Sequence, residues 1–132
     1  MKKIGILHAQ LSRIIASMGH GDMLVVADAG LPVPPGVETV DLALVAGVPG
    51  FLETVEAVLR ELQVQEAIIG AEMAQVSPGM YGRFMALWPK DVPVRAVPHV
   101  EFKEITRQAR AVVRTGEFTP YSNVILVAGV LF

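Results

Sequence analysis

The chain has 132 residues, enough for one domain of ordinary size but not for two. Its formal net charge at pH 7 is −2 and its Lys and Arg residues are scattered, which argues against nucleic acid as a partner. It contains no cysteine, which excludes disulfides, thiolate nucleophiles and zinc ribbons.

The apolar content is high for a small domain. Apolar residues make up 52% of the chain, and the mean hydropathy is +0.50. A domain of this size hides only about 70% of its extended-chain surface, so some apolar side chains must meet a membrane or other subunits. The longest apolar stretches, 23–33 and 124–132, are shorter than the roughly 18 residues of a spanning helix, and Asp28 interrupts the first. We therefore expect a soluble, cytoplasmic homo-oligomer with no membrane or nucleic-acid partner.

Apolar spacing and capping residues predict four helices. The first is expected to end at Gly19, in the left-handed conformation. The second begins near Pro49, the third covers 77–88 with Ser77 as its N-cap and a proline next, and the fourth covers 99–109. The buried face of the first helix is predicted to comprise Leu7, Leu11, Ile14, Ile15 and Met18.

Apolar runs between these helices predict six strands, which cover 23–27, 37–45, 66–71, 92–97, 111–114 and 124–131. Strands that alternate with helices indicate an α/β fold. We expect a single three-layer domain over residues 1–132, with a largely parallel sheet and helices on both faces. The last strand continues as an apolar segment to Phe132, and such a segment usually frays unless it docks, so we expect it at a contact between subunits.

Asp28 is the first candidate site residue. It follows the apolar strand 23–27, and ligands of open α/β sheets bind beyond the carboxyl ends of strands. The carboxylate either caps the turn at Ala29 and Gly30 or holds a ligand hydroxyl or a histidine. Its position leaves both interpretations open.

The three histidines differ in setting. His20 lies between glycines in the loop before the first strand, where it is either an ordinary surface histidine or a site residue. Only a folded-back loop or a neighbouring subunit could bring it to Asp28. His99 begins a helix, where the dipole disfavours its protonated form, and it serves either as a neutral hydrogen-bonding group or as a cap. His8 has no assigned role. The histidines lack metal-ligand spacing, so we expect no metal site.

Three polar residues precede the last strand. Tyr121, Ser122 and Asn123 supply a phenol, a hydroxyl and an amide within one tripeptide, which suits a polyhydroxylated ligand or an ordinary turn. Phosphate-binding loops, nucleophile elbows and informatively spaced carboxylate pairs are absent.

Four segments of the chain are distinctive, namely MKKIGILHAQLSRIIASMGHGDMLVVADAGLPVP at the start, LALVAGVPGF in the centre, P-H-x-x-F-K at 98–103 and AVVRTGEFTPYSNVILVAGV near the end. With them the chain resembles the bacterial D-ribose pyranase family over nearly its whole length. The R-T-G-E-x-x-P-Y-x-N core of the last segment is the most distinctive. Departures are His8 for a frequent asparagine, Ser122 for a common alanine, and an unfamiliar segment at 76–97.

The resemblance implies an isomerase that interconverts β-D-ribopyranose and β-D-ribofuranose without metal or cofactor, supplying the form that a kinase phosphorylates. It implies a homo-oligomer, a decamer of two pentameric rings with sites at the subunit contacts. It also implies that His20 is the catalytic proton donor and that ribose binds at Asp28, His99, Tyr121, Ser122 and Asn123. The alternatives are a fucose-type mutarotase, a non-catalytic ribose-binding subunit and a purely structural ring protein.

Overall fold

Six strands form one mixed sheet in the computed structural model, which describes residues 1–132. They are β1 (Met23–Ala27), β2 (Glu38–Asp41), β3 (Val64–Gly70), β4 (Val94–Val97), β5 (Ala111–Arg114) and β6 (Val124–Ala128). Their order in the sheet is β2-β5-β1-β6-β3-β4. Five strands run in one direction, and β6 lies antiparallel between β1 and β3. The six predicted strands and the largely parallel sheet are confirmed.

Five helices connect or flank the strands. They are α1 (Ala9–Ser17), α2 (Phe51–Leu59), α3 (Glu72–Val76), α4 (Pro78–Leu87) and α5 (His99–Ile105), with a 3₁₀ turn (Thr106–Gln108) after the last. Four of them confirm predicted helices. α3 was not predicted, because its five residues are too few to display an apolar period. No helix combines the length and apolar character needed to cross a bilayer.

Helices cover both faces of the sheet, as predicted, but unequally. The larger core holds 23 buried residues and includes side chains of α1, α2 and α4 packed on Leu24 and Val26. Its aromatic centre is Phe84, whose ring centroid lies 5.4 Å from that of Trp88 and 6.0 Å from that of Phe51. The smaller core, on the other face, includes Phe102 of α5. Because β1 has cores on both sides, it can be apolar throughout.

Several local predictions were wrong. Leu7 lies before α1 and is 67% exposed, so it is not part of the buried face. The helix ends without a left-handed Gly19: Met18 is extended, and the first positive φ after the helix, 83°, comes at Gly21. Ser77 occupies the N-cap position of α4 but makes no capping bond, since its Oγ donates to the carbonyl of Pro120 at 2.7 Å. The last strand ends at Ala128.

Candidate functional site

One edge of the sheet gathers most of the predicted site residues. The five parallel strands end at this edge, and β6, which runs the other way, begins there. Residues that follow β1, β3, β4 and β5 therefore meet those that precede β6. We call this the carboxyl edge, defined by Asp28, Glu72, His99 and the segment 115–123. It joins residues up to 95 positions apart in the sequence.

Asp28 and Asn123 form a reciprocal pair at the carboxyl edge. The Asn123 Nδ2 donates to Asp28 Oδ2 at 3.0 Å, and the backbone N–H of Asp28 donates to Asn123 Oδ1 at 2.8 Å. The other carboxylate oxygen, Oδ1, accepts from the N–H of Gly30 at 3.0 Å. The turn-capping interpretation of Asp28 is therefore confirmed. These bonds fix the orientation of a half-buried carboxylate that still has accessible lone pairs.

His99 and Tyr121 form a second pair at this edge. Their rings meet edge to face, with centroids 5.0 Å apart at an interplanar angle of 83°. Phe102 stacks nearly parallel to the imidazole at 5.9 Å. Tyr121 has φ 62°, in the left-handed region that non-glycine residues rarely adopt, and its carbonyl accepts from the N–H of Asn123 at 2.9 Å. Such backbone strain persists only where surrounding contacts hold it, and it clusters at functional sites.

The pKa of the His99 imidazole lies below its usual value, mainly because burial disfavours the charged form. Glu72 raises the pKa of His99, Lys103 lowers it and Asp28 raises it, and these charges do not reverse the effect of burial. The direction agrees with the sequence prediction. Burial, and not the predicted helix dipole, is the dominant cause. At neutral pH the neutral imidazole, which can both donate and accept a hydrogen bond, is therefore favoured.

A cleft of about 420 Å³ opens beside Asp28. Its volume falls within the range of small-molecule sites, about 300–1,000 Å³. Phe118 stands at the rim with 71% of its surface exposed. The lining residues are Asp28, Ala29, Gly30, Arg114, Glu117, Phe118 and Pro120.

The R-T-G-E residues build the frame of this cleft, a role that the sequence analysis did not assign. Arg114 Nε donates to the carbonyl of Ala29 at 3.0 Å, and its Nη1 donates to both oxygens of Asp41 at 3.2 and 3.1 Å. Thr115 is fully buried, and its Oγ1 donates to the carbonyl of Ala27 at 2.7 Å. Both side chains thus tie β5 to the turn that carries Asp28.

Glu117 also lies at the carboxyl edge, and the sequence did not identify it as a site residue. Its Oε1 accepts from the N–H of Phe51 at 3.1 Å, at the start of α2, and its Oε2 accepts from the N–H of Thr119 at 3.2 Å. Burial by itself would raise the pKa of Glu117, but hydrogen bonds from Phe51, Thr119 and Phe118 outweigh it and hold that pKa below its usual value. The R-T-G-E-x-x-P-Y-x-N motif contains Glu117 and could have drawn attention to it, but the motif indicates no role for its carboxylate.

Ser122 is placed differently from its neighbours. Its side chain has no exposed surface, and its Oγ has no hydrogen-bond partner. The predicted contact between this hydroxyl and a ligand is therefore not available in the structure. The whole residue, backbone included, has no exposed surface, so Ser122 offers a ligand neither its hydroxyl nor its backbone in this structure.

Replacing Ser122 with alanine should leave the protein as stable as before or raise the free energy of unfolding by about 1 kcal/mol. An unpartnered buried hydroxyl carries a desolvation cost that alanine lacks. Ser77→Ala is the matched control, since it removes a hydroxyl that does have a partner and should cost about 1 kcal/mol. Urea unfolding measures both. A marked loss of stability in Ser122→Ala would mean that the hydroxyl has a partner after all.

His20 lies at the opposite edge of the sheet. It is exposed, and its Nε2 is 2.9 Å from Gln65 Oε1. The whole of β1, five residues or roughly 16 Å, separates it from the Asp28 turn. The loop does not fold back: the N–H of Gly21 donates to the carbonyl of Ala128, at the far end of β6. Within one chain, His20 is not part of the carboxyl edge.

The sequence profile of the RbsD / FucU transport protein family matches residues 1–131. The chain belongs to this family. It is 53% identical to the D-ribose pyranase of Chloroflexus aggregans and 52% identical to that of Laribacter hongkongensis, in both cases over the full length of the two chains. These relatives place the chain among ribose pyranases by sequence.

Solved structures of other proteins have the same fold. The structure of Bacillus subtilis RbsD complexed with D-ribose superposes with a TM-score of 0.95 at 45% identity, and the match covers all of both chains. The Streptococcus pneumoniae fucose mutarotase in complex with L-fucose gives a TM-score of 0.75 at 22% identity, over 96% of this chain and 95% of that one. The second likeness shows the fold alone.

Proposed function

We propose that the protein is a D-ribose pyranase, an isomerase that interconverts β-D-ribopyranose and β-D-ribofuranose. The observation that carries the proposal is the carboxyl edge, where the Asp28–Asn123 pair and the His99–Tyr121 pair stand together. They do so in a chain that matches relatives named D-ribose pyranase over its full length. The furanose product suits phosphorylation by a kinase, so we propose a cytoplasmic location.

The reaction needs proton transfers and no net oxidation. The anomeric hydroxyl loses its proton, its electrons form the aldehyde carbonyl, and the bond from C1 to the ring oxygen breaks as that oxygen gains a proton. Addition of a different hydroxyl to the aldehyde then closes the other ring size. Positioned acid and base groups typically contribute about 10²–10⁴-fold each to such steps.

The carboxyl edge supplies groups for binding and for one proton transfer. We assign Asp28 to hold or deprotonate a sugar hydroxyl, because Asn123 and Gly30 already fix its orientation. The neutral imidazole of His99 would bind a second hydroxyl. Tyr121 and Asn123 would orient the sugar ring.

His20 is the proposed proton donor to the ring oxygen, and it must come from a second copy of the chain. An imidazole is suited to this step because its ordinary pKa range lies near neutrality. A contact that joins the His20 edge of one subunit to the carboxyl edge of the next is heterologous, and a heterologous contact forms a ring when the rotation between successive subunits closes. The proposal includes a homo-oligomer, a decamer of two pentameric rings.

Exposed apolar side chains at both edges support this contact. At the His20 edge, the tail after β6 leaves Leu131 and Phe132 86% and 104% exposed. Near the carboxyl edge, Phe118 and the loop that holds Leu44 and Val45 are exposed as well. Exposed apolar patches of this kind mark protein interfaces. A ring contact would cover both sets.

Saturation-transfer NMR between ribopyranose and ribofuranose signals tests the proposal directly. Catalytic amounts of the protein should accelerate the exchange well above its rate in solvent. Exchange at the solvent rate, with ribose binding established separately, would instead indicate a non-catalytic ribose-binding subunit. The same measurement on L-fucose anomers decides against a fucose-type mutarotase if ribose exchanges faster.

A further inference from the structure

The carboxylate of Glu72 contacts the backbone of His99 rather than the imidazole ring. Both carboxylate oxygens accept from the N–H of His99, Oε2 at 2.9 Å and Oε1 at 3.1 Å. Glu72 begins α3, which follows β3, and His99 begins α5, which follows β4. Because β3 and β4 are neighbours in the sheet, the Glu72 side chain at the start of α3 can hold the first residue of α5.

The position of this backbone determines where the imidazole points. The ring stands between Phe102 and Tyr121. Its Nδ1 side faces Gly70, where an added Cβ would stand 3.5 Å away. A change in the backbone of His99 would therefore turn the imidazole relative to the Tyr121 ring.

We propose that Glu72 is a positioning residue for the reaction: its carboxylate anchors the backbone of His99 and thereby holds the imidazole against Tyr121 at the carboxyl edge. This inference rests on the proposed function, in which His99 holds a sugar hydroxyl. Glu72 itself touches no substrate in this scheme.

The charges around His99 give the proposal a second readout. Three charged groups face the imidazole, namely Glu72 from α3, Lys103 from α5 and Asp28 from the end of β1. Burial and Lys103 lower the pKa of His99, and Glu72 and Asp28 raise it. Removing the Glu72 charge leaves Asp28 as the only carboxylate that opposes burial, so the pKa of His99 should fall further.

Two variants separate the anchor from the charge. Glu72→Gln keeps a carbonyl oxygen that can accept from the His99 N–H but loses the charge, whereas Glu72→Ala loses both. Glu101→Gln is the matched control, since it removes an exposed carboxylate from the first turn of α5, the helix that His99 begins. The chain has only three histidines, so NMR can follow the imidazole of His99 separately from those of His8 and His20.

We expect Glu72→Ala to lower kcat/KM for ring exchange by about 10- to 100-fold, because a misplaced His99 no longer holds its sugar hydroxyl in the orientation that the reaction needs. Glu72→Gln should recover most of that loss. Both variants should titrate His99 at lower pH than the wild type, and Glu101→Gln should match the wild type in rate and titration.

The inference fails if folded Glu72→Ala keeps the wild-type rate, whatever its His99 titration. If Glu72→Ala does not fold, Glu72→Gln decides, and an unchanged His99 titration in that variant also overturns the inference. The proposed function fails separately, by absence of exchange in the wild-type protein.

Discussion

Co-expressed His20→Ala and Asp28→Asn subunits are expected to regain ribose ring exchange that neither variant shows alone. Each variant by itself should be slower than wild type by about 10²–10⁴-fold, because every site lacks one proton-transfer group. His20 and Asp28 lie at opposite edges of the sheet, so a site that uses both takes them from two subunits. In randomly mixed rings, about one contact in four joins an intact His20 to an intact Asp28. The mixture should therefore show about a quarter of the wild-type saturation transfer.

The matched control mixes Asp28→Asn with Asn123→Ala. Both residues belong to the same carboxyl edge of one subunit, so every site in a mixed ring keeps at least one defect. That mixture should stay as inactive as its parents. Recovery in the control, or no recovery in the first mixture despite normal assembly, would contradict a site shared between subunits.

The fold was predictable because its signals are local. Runs such as 23–27 and 124–128 are apolar throughout, which is typical of strands covered on both faces. Proline and glycine mark the ends of most elements. Strand ends differ by a few residues from the predictions: β2, for example, covers Glu38–Asp41 within the predicted 37–45. Propensity declines gradually at such ends, whereas hydrogen bonding to a neighbour stops at a definite residue.

The arrangement of the strands was not predictable in the same way. The reversal of β6 between β1 and β3 depends on long-range pairing, to which no local pattern corresponds. Yet this reversal puts Asn123 beside Asp28, 95 residues away in the sequence. It also brings Tyr121 to His99. The residues of the site could be listed from the sequence, but their pairing could not be derived from it.

Supporting contacts were even less visible in the sequence. Glu72 and Glu117 act through backbone N–H groups of distant residues, and any exposed glutamate looks the same in a sequence. The sequence raised the question of whether His20 could reach Asp28 within one chain. The sequence could not answer it, because the answer depends on where the loop before β1 is held.

Gly116→Ala is expected to lower the free energy of unfolding by about 3 kcal/mol, at the upper end of the usual cost of overpacking. A Cβ at this position would stand 2.6 Å from the carbonyl oxygens of both Val45 and Val48. Those atoms are backbone, and the same loop is bonded to Gly116 on both sides, through Gly47 N–H at 2.6 Å and the carbonyl of Pro49 at 2.8 Å. The loop therefore cannot move aside without losing these bonds. Urea unfolding followed by circular dichroism measures the loss.

The same substitution should reduce ring exchange even in protein that remains folded. Glu117 follows Gly116, and its carbonyl accepts from the N–H of Ala29 at 2.8 Å, beside Asp28. A shifted Gly116 would thus displace the turn that carries the carboxylate. Gly82→Ala is the control: Gly82 lies inside α4 with no atom within 4 Å of an added Cβ, so alanine should stabilise the helix by about 0.5–1 kcal/mol and leave exchange unchanged. If Gly116→Ala behaved like Gly82→Ala, the close approach of the two loops would not be what positions Asp28.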